Sequence, residues 1–232
     1  LPLTPFFCSA LSRMGTTKRD YAEMAQRIDA YTGGVGFSTH ARTRFDDAGD
    51  CVPFLAFNGK CLLRNQEPMF DIIQELLHHS DFSNLTRMKS ILLEYRAGLE
   101  AMVIHSGHRL AISLAARNLS STRMLSEIWS GVHQLQTIKR LTDDITERDL
   151  SALSADLTAI GNALITQNNF QMALIGEESA LTDARSCAQS LFDGFKPGKE
   201  DGFKAPDITL DDGVTREGCS TSSAVSFVAL AF

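Results

Sequence analysis

The stretch Asp20-Tyr-Ala-Glu-Met24-Ala-Gln-Arg-Ile28-Asp-Ala-Tyr31-Thr-Gly33-Gly34-Val35-Gly-Phe37-Ser-Thr39-His-Ala41-Arg42 carries two periodicities end to end. In its first half Tyr21, Met24, Ala25 and Ile28 recur at helical spacing, which predicts a helix over Asp20 to Tyr31. In its second half Val35, Phe37, Thr39 and Ala41 alternate with Gly36, Ser38, His40 and Arg42, which is strand spacing. Ala48-Gly49-Asp50 reads as a turn, and Cys51 to Leu63 returns as a second, more apolar strand. A helix feeding an antiparallel hairpin points to an α+β domain, with helices covering one face of a mainly antiparallel sheet.

Working outward, Pro5 to Met14 suits a helix closed by Gly15. After the hairpin, Met69, Ile72, Ile73, Leu76 and Leu77 form one apolar stripe. Leu85, Met88, Leu92, Tyr95, Leu99 and Met102 form another on a long helix, continued by Arg109 to Leu119 and by Met124 to Leu135. Thr146 to Asp149 reads as a capping box opening a helix through Leu150, Leu153, Leu157 and Ile160. Asn169 to Gly176 alternates and predicts a third strand, and Leu181 to Phe192 a last helix. Gly194 to Gly218 is rich in glycine, proline and charge and reads as a linker. The expected division is therefore a domain over 1–195, a linker over 196–218 and the first strand of a following unit over 219–232. The absence of an initial Met and the apolar run from Ala224 to Phe232 read as cut ends, the latter as a strand wanting partners.

The chain has 232 residues, enough for one sizeable core. Its net charge of -6 disfavours nucleic acid as a partner. The apolar opening from Leu1 to Leu11 is too short and proline-broken for a membrane span, so no membrane partner is expected. The five cysteines, Cys8, Cys51, Cys61, Cys187 and Cys219, are scattered without a CxxC pair. That excludes a zinc ribbon or thioredoxin-type site and fits a reducing compartment. Gly33-Gly34-x-Gly36 leads into a strand and lacks the last glycine of a dinucleotide cradle, so it reads as a tight strand entry.

Several stretches, taken in order, carry a resemblance: Leu11-Ser-Arg-Met-Gly15-Thr16-Thr with Asp20-Tyr21 and Thr32-Gly33-Gly34; Asn58-Gly59-Lys60-Cys-Leu before the Met69 to Leu77 helix; and Arg87-Met-Lys-Ser-Ile-Leu-Leu through Ser106-Gly107-His108. Over Leu1 to Phe195 the chain resembles a domain of the pitrilysin and insulinase family of zinc metallopeptidases, closest to the third domain of its presequence-protease branch. Catalytic members carry His-x-x-Glu-His on the first helix, shortly before a Gly-Thr. Counted back from Gly15-Thr16, the two His positions are held by Phe6 and Ala10 and the Glu position by Ser9. None of these supplies an imidazole ligand or a carboxylate base.

The remaining histidines offer no replacement. His78 and His79 are adjacent and diverge on a helix, Glu75 gives only Glu-x-x-His, and His105 and His108 straddle Gly107 without a nearby acid or thiol. His40 and His133 have no local partner. Cys8 beside Ser9 could suggest a nucleophile, but lies on an apolar helix face. The expectation is therefore no catalytic and no metal residues in this chain, with zinc held in the amino-terminal half of a parent peptidase.

The resemblance implies a parent of four related domains whose second half closes over the first, with this chain as chamber wall. Its partners would be the rest of the same polypeptide and unstructured peptides. A peptide could add to the Gly34, Val35, Gly36, Phe37, Ser38 and Thr39 strand as an edge. Bacterial cytoplasm, or alternatively an organelle matrix, fits the free thiols. The competing reading is a structural domain of a non-proteolytic relative.

Overall fold

The computed structural model describes residues 1–46, 51–198, 207–210, 213, 216–221 and 224–232. Its helices are α1 (Thr4–Leu11), α2 (Tyr21–Tyr31), α3 (Gln66–His79), α4 (Leu85–Ala116), α5 (Ser121–Ser130), α6 (Val132–Thr142), α7 (Glu147–Leu164) and α8 (Glu178–Asp193). Strands β1 (Val35–Thr43) and β2 (Cys51–Gly59) pair antiparallel, from Val35 opposite Gly59 to Thr43 opposite Cys51. The α+β class and the hairpin stand; the turn expected at Ala48-Gly49-Asp50 lies outside the described residues.

Local chemistry fixes the helix starts. Asp20 accepts from the backbone N–H groups of Ala22 and Glu23 while Glu23 reaches back to Asp20, a complete capping box for α2. Thr146 and Asp149 do the same for α7. Between α1 and α2 the chain turns at Gly15, whose φ of 102° lies in the left-handed region. A Cβ there would sit 2.8 Å from the Tyr21 nitrogen, so the corner requires glycine.

The main core gathers Phe6, Phe7, Ala10 and Leu11 of α1 with Met88, Ile91, Leu92 and Leu99 of α4, Ile138 of α6, and Leu150, Leu153 and Leu157 of α7. A second cluster joins α3 to α8 through Phe70, Ile73, Leu77, Ala184, Ala188 and Leu191. A third seats Met24 of α2 on Ile72 and Leu76 of α3. The hairpin spans these clusters: Phe37 packs against all three, and its opposite number Phe57 against the second. Its other face presents Ser38, His40 and Phe54, with the His40 and Phe54 rings stacked at 5.1 Å.

Three expectations change. The alternating segment Asn169 to Gly176 is not a strand: a 3-10 turn occupies Gln167–Asn169 and the rest has no ladder partners among the described residues. Phe170, Met172 and Leu174 still pack together on the α3–α8 cluster, so the alternation recorded burial and not sheet pairing. The long helix expected from Leu85 and continued by Arg109 to Leu119 ends at Ala116, gives way to a 3-10 turn over Arg117–Leu119, and is bent at Ser106, where φ is -140° and ψ is 28°.

Met124 to Leu135 is instead split at Gly131. Glu127, fully buried, turns its carboxylate back over the break and accepts the His133 backbone N–H at 3.2 Å, satisfying a free donor at the start of α6. A Cβ at Gly131 would fall 1.9 Å from that carboxylate. Ser113 of α4 donates to its other oxygen.

Candidate functional site

Two places can be tested for function: α1, which stands where the family resemblance puts a zinc motif, and β1, the expected peptide edge. On α1, Phe6 and Ala10 are fully buried. The Phe6 ring lies 5.6 Å from that of Tyr95, and Phe7 lies 5.8 Å from Phe82. Ser9 is half-buried and offers one hydroxyl. Cys8 sits in the same core, where burial pushes its thiol up to about 12 and so suppresses the nucleophilic thiolate. Phenyl, methyl and hydroxyl groups do not make a divalent-metal donor set, so the residues at these positions do not fit zinc.

The corner after α1 is built by a residue whose role spacing alone did not reveal. Glu75 of α3 is buried, accepts the Thr16 hydroxyl at 2.7 Å and pairs with Arg19. Thr16 in turn accepts the Arg19 backbone N–H at 3.0 Å. Glu75 thus serves the Gly15-Thr16 corner, while His78 of the same Glu-x-x-His packs on Phe195. The available signal was an acidic residue at a position of the α3 apolar stripe, where a buried carboxylate needs a donor and a cation.

The histidines are dispersed. His78 leans on Phe195, with ring centroids 4.7 Å apart, and its ring stands 6.4 Å from that of His79. His40 meets the Ser38 hydroxyl at 3.0 Å, and His133 meets Glu127 at 3.1 Å. His105 and His108 are exposed. Among the described residues no group of three or more His, Cys, Asp or Glu could hold a metal ion.

On β1, Gly34 enters with φ of 115° and the strand proper begins at Val35. Val35 and Phe37 face the helices, Ser38 faces outward, and Thr39 stands opposite Leu55. Among the described residues β1 pairs with β2 alone, so its other edge carries no strand. The structure therefore brings Gly34 to Thr39 together on one strand, while Phe6, Ser9 and Ala10 lie on α1 behind the hairpin's packed face. A groove of about 490 Å³ lies between α3 and α8, and neither α1 nor β1 lines it.

Comparison with known proteins accounts for this combination. The family profile described as peptidase M16 (subfamily C) associated matches residues 1–141. The mitochondrial presequence protease of Danio rerio is 29% identical over 179 residues, covering 77% of this chain and 17% of that protein. Protein HypA of Clostridium perfringens is 23% identical over 229 residues, covering 99% of this chain and 23% of that protein. Presequence protease 1, chloroplastic/mitochondrial, of Arabidopsis thaliana is 25% identical over 194 residues, covering 83% of this chain and 18% of that protein. The chain spans about a fifth of the length of these relatives. A family profile that takes in α1, the hairpin and most of α6, together with a first helix filled by core side chains, has one reading: the chain belongs to this peptidase-associated family, a non-catalytic domain type of pitrilysin-like peptidases.

Proposed function

We propose that this chain is the third, non-catalytic domain of a presequence-protease-like zinc peptidase, and that it forms wall in the chamber that encloses unstructured peptides. The observation that carries this is the pairing of the family match over 1–141 with Phe6, Ser9 and Ala10 at the motif positions. Zinc belongs to the amino-terminal half of the parent; this domain contributes shape. A closed wall excludes folded proteins, keeps water from competing at the scissile bond and holds a peptide in reach of the metal. The presequence protease names of the relatives favour peptides as substrates, and their mitochondrial and chloroplastic designations favour an organelle matrix for relatives of that kind. A bacterial relative keeps the cytoplasm open as an alternative. The division into a domain over 1–195, a linker over 196–218 and the opening of a following unit over 219–232 is part of the same proposal.

Metal content and peptidase activity, measured on this chain and on its full-length parent, test the reading. Zinc and cleavage in the parent alone support it; stoichiometric zinc with chelator-sensitive cleavage in the chain overturns it. Peptide contact at the Gly34 to Thr39 edge has its own test. Proline at Ser38 or Thr39 in the full-length parent should raise KM for peptides, because strand addition uses backbone groups that proline lacks or blocks. Unchanged kinetics would remove the edge from the mechanism.

A further inference from the structure

Three described points of the segment 207–232 meet the domain, each at a feature shaped to receive it. Ile208 packs on Cys51, Leu125 and Trp129, where the hairpin meets α5. Glu217 accepts from Arg117 Nη2 at 2.5 Å, and the Arg117 side chain is only 7% exposed. Its Nη1 donates to the Leu114 carbonyl at 2.8 Å, which aims the guanidinium from the end of α4. Phe227 covers Gly107 at the bend of α4, and a Cβ on Gly107 would stand 2.5 Å from its Cε2.

Each contact has a physical reason to be selective. A buried guanidinium is costly unless a carboxylate meets it, and Glu217 is such a partner. Gly107 is buried and has no positive φ, so the helix there does not need glycine for its backbone. Glycine weakens a helix relative to alanine, so its use at this point is explained by the ring that fills the missing side chain. In the tail itself Phe227 is 39% exposed, whereas Val228, Leu230 and Phe232 are 97%, 81% and 101% exposed. Phe227 is docked while Val228, Leu230 and Phe232 stay largely in solvent.

We propose that the face of α4 at Gly107, Arg117 at its end, and the α5–hairpin corner form a docking surface for the described residues 207–210, 216–221 and 224–232 of this same chain. The Arg117–Glu217 pair and the Phe227–Gly107 contact fix Glu217 and Phe227 against the end and the bend of α4. The consequence, a set direction for whatever unit follows, rests on the reading of 219–232 given above. The docking itself does not.

Cys219 is exposed and lies between the two anchors, which makes it a reporter site. A nitroxide placed there, in the full 232-residue chain carrying Cys61→Ser and Cys187→Ser, reads the mobility of the segment. The expected spectrum is that of a restricted label. Phe227→Ala should shorten its rotational correlation time several-fold, and Glu217→Ala should act in the same direction. Gly107→Ala should release the label as well, while leaving the thermal midpoint of the domain unchanged or higher, because alanine is the better helix former. A label already freely mobile in the parent chain, or one unmoved by Phe227→Ala, overturns the docking. Phe227 lies on the exposed tail, so its loss does not endanger the fold. Such a result would leave the family membership and the wall role standing, just as zinc-dependent cleavage by this chain would overturn the role and leave the docking intact.

Discussion

The first helix and the hairpin behind it spend their side chains in opposite ways. On α1, Phe6, Phe7 and Ala10 are fully buried and Leu11 is 1% exposed. On β1, every residue from Val35 to Ala41 is half-buried, and one strand edge is unpaired among the described residues. Phe6 and Ala10 fill core volume, so changes at these positions of α1 act first on stability. Along β1 one edge carries no strand among the described residues, so a change there tests the proposed peptide contact more than it tests the core. In a domain whose fold outlives its chemistry, burial separates what remains structural from what can still touch a ligand.

The sharpest test of that contrast is on α1. Phe6→Ala should cost about 3–5 kcal/mol, the usual range for emptying a fully buried aromatic site, read from the urea midpoint. The triple change Phe6→His, Ser9→Glu, Ala10→His should abolish cooperative unfolding and not create a zinc site, because it places two imidazoles among the core side chains at Phe6 and Ala10. A folded, zinc-binding triple variant would break the comparison outright. Next in size is Glu75→Ala, which strips Thr16 and Arg19 of their shared acceptor and should cost about 1–3 kcal/mol. On the outer face of the hairpin, Phe54→Ala removes only the stacking on His40 from a side chain already 42% exposed. It should cost about 1 kcal/mol or less. A larger loss there would mean that the outer face is as structural as α1.

Most helices were legible from their amphipathic stripes, and α7 also from the Thr146–Asp149 capping box; the Asp20–Glu23 box of α2 is a finding of the structure. The hairpin was legible because the period changes within a few residues of Gly33-Gly34. The false third strand shows where this reasoning fails. Phe170, Met172 and Leu174 alternate because one side of the segment lies on the α3–α8 cluster, and alternation is blind to whether a ladder exists. The break at Gly131 was hidden because its cause, the Glu127 carboxylate, belongs to the preceding helix and looks like an ordinary charged residue in sequence. At the candidate site, the apolar character of α1 was legible in the sequence, while the task of Glu75 was not, since Thr16 and Arg19 lie far from it along the chain.

The smallest effect expected is a pH slope at the carboxyl end of α3. His78 is half-buried against Phe195, and its Nε2 has no hydrogen-bond partner among the described residues. Burial, then the positive charge of His79, Lys18 and Lys196, holds its pKa below the ordinary 6.5. The unfolded chain therefore takes up the proton first as pH falls. Stability contributed by keeping this ring neutral is complete above the ordinary value, declines as pH drops through the window beneath it, and levels off below the folded-state pKa. Urea midpoints compared at about pH 7.5 and about pH 5 should fall more in the wild-type chain than in His78→Gln, which cannot take up that proton. Taking the difference between the two chains removes the contribution of every other titrating group they share. Equal losses would mean that the ring accepts its proton without resistance, which would place this end of α3 with the open face of the hairpin and not with the closed core of α1.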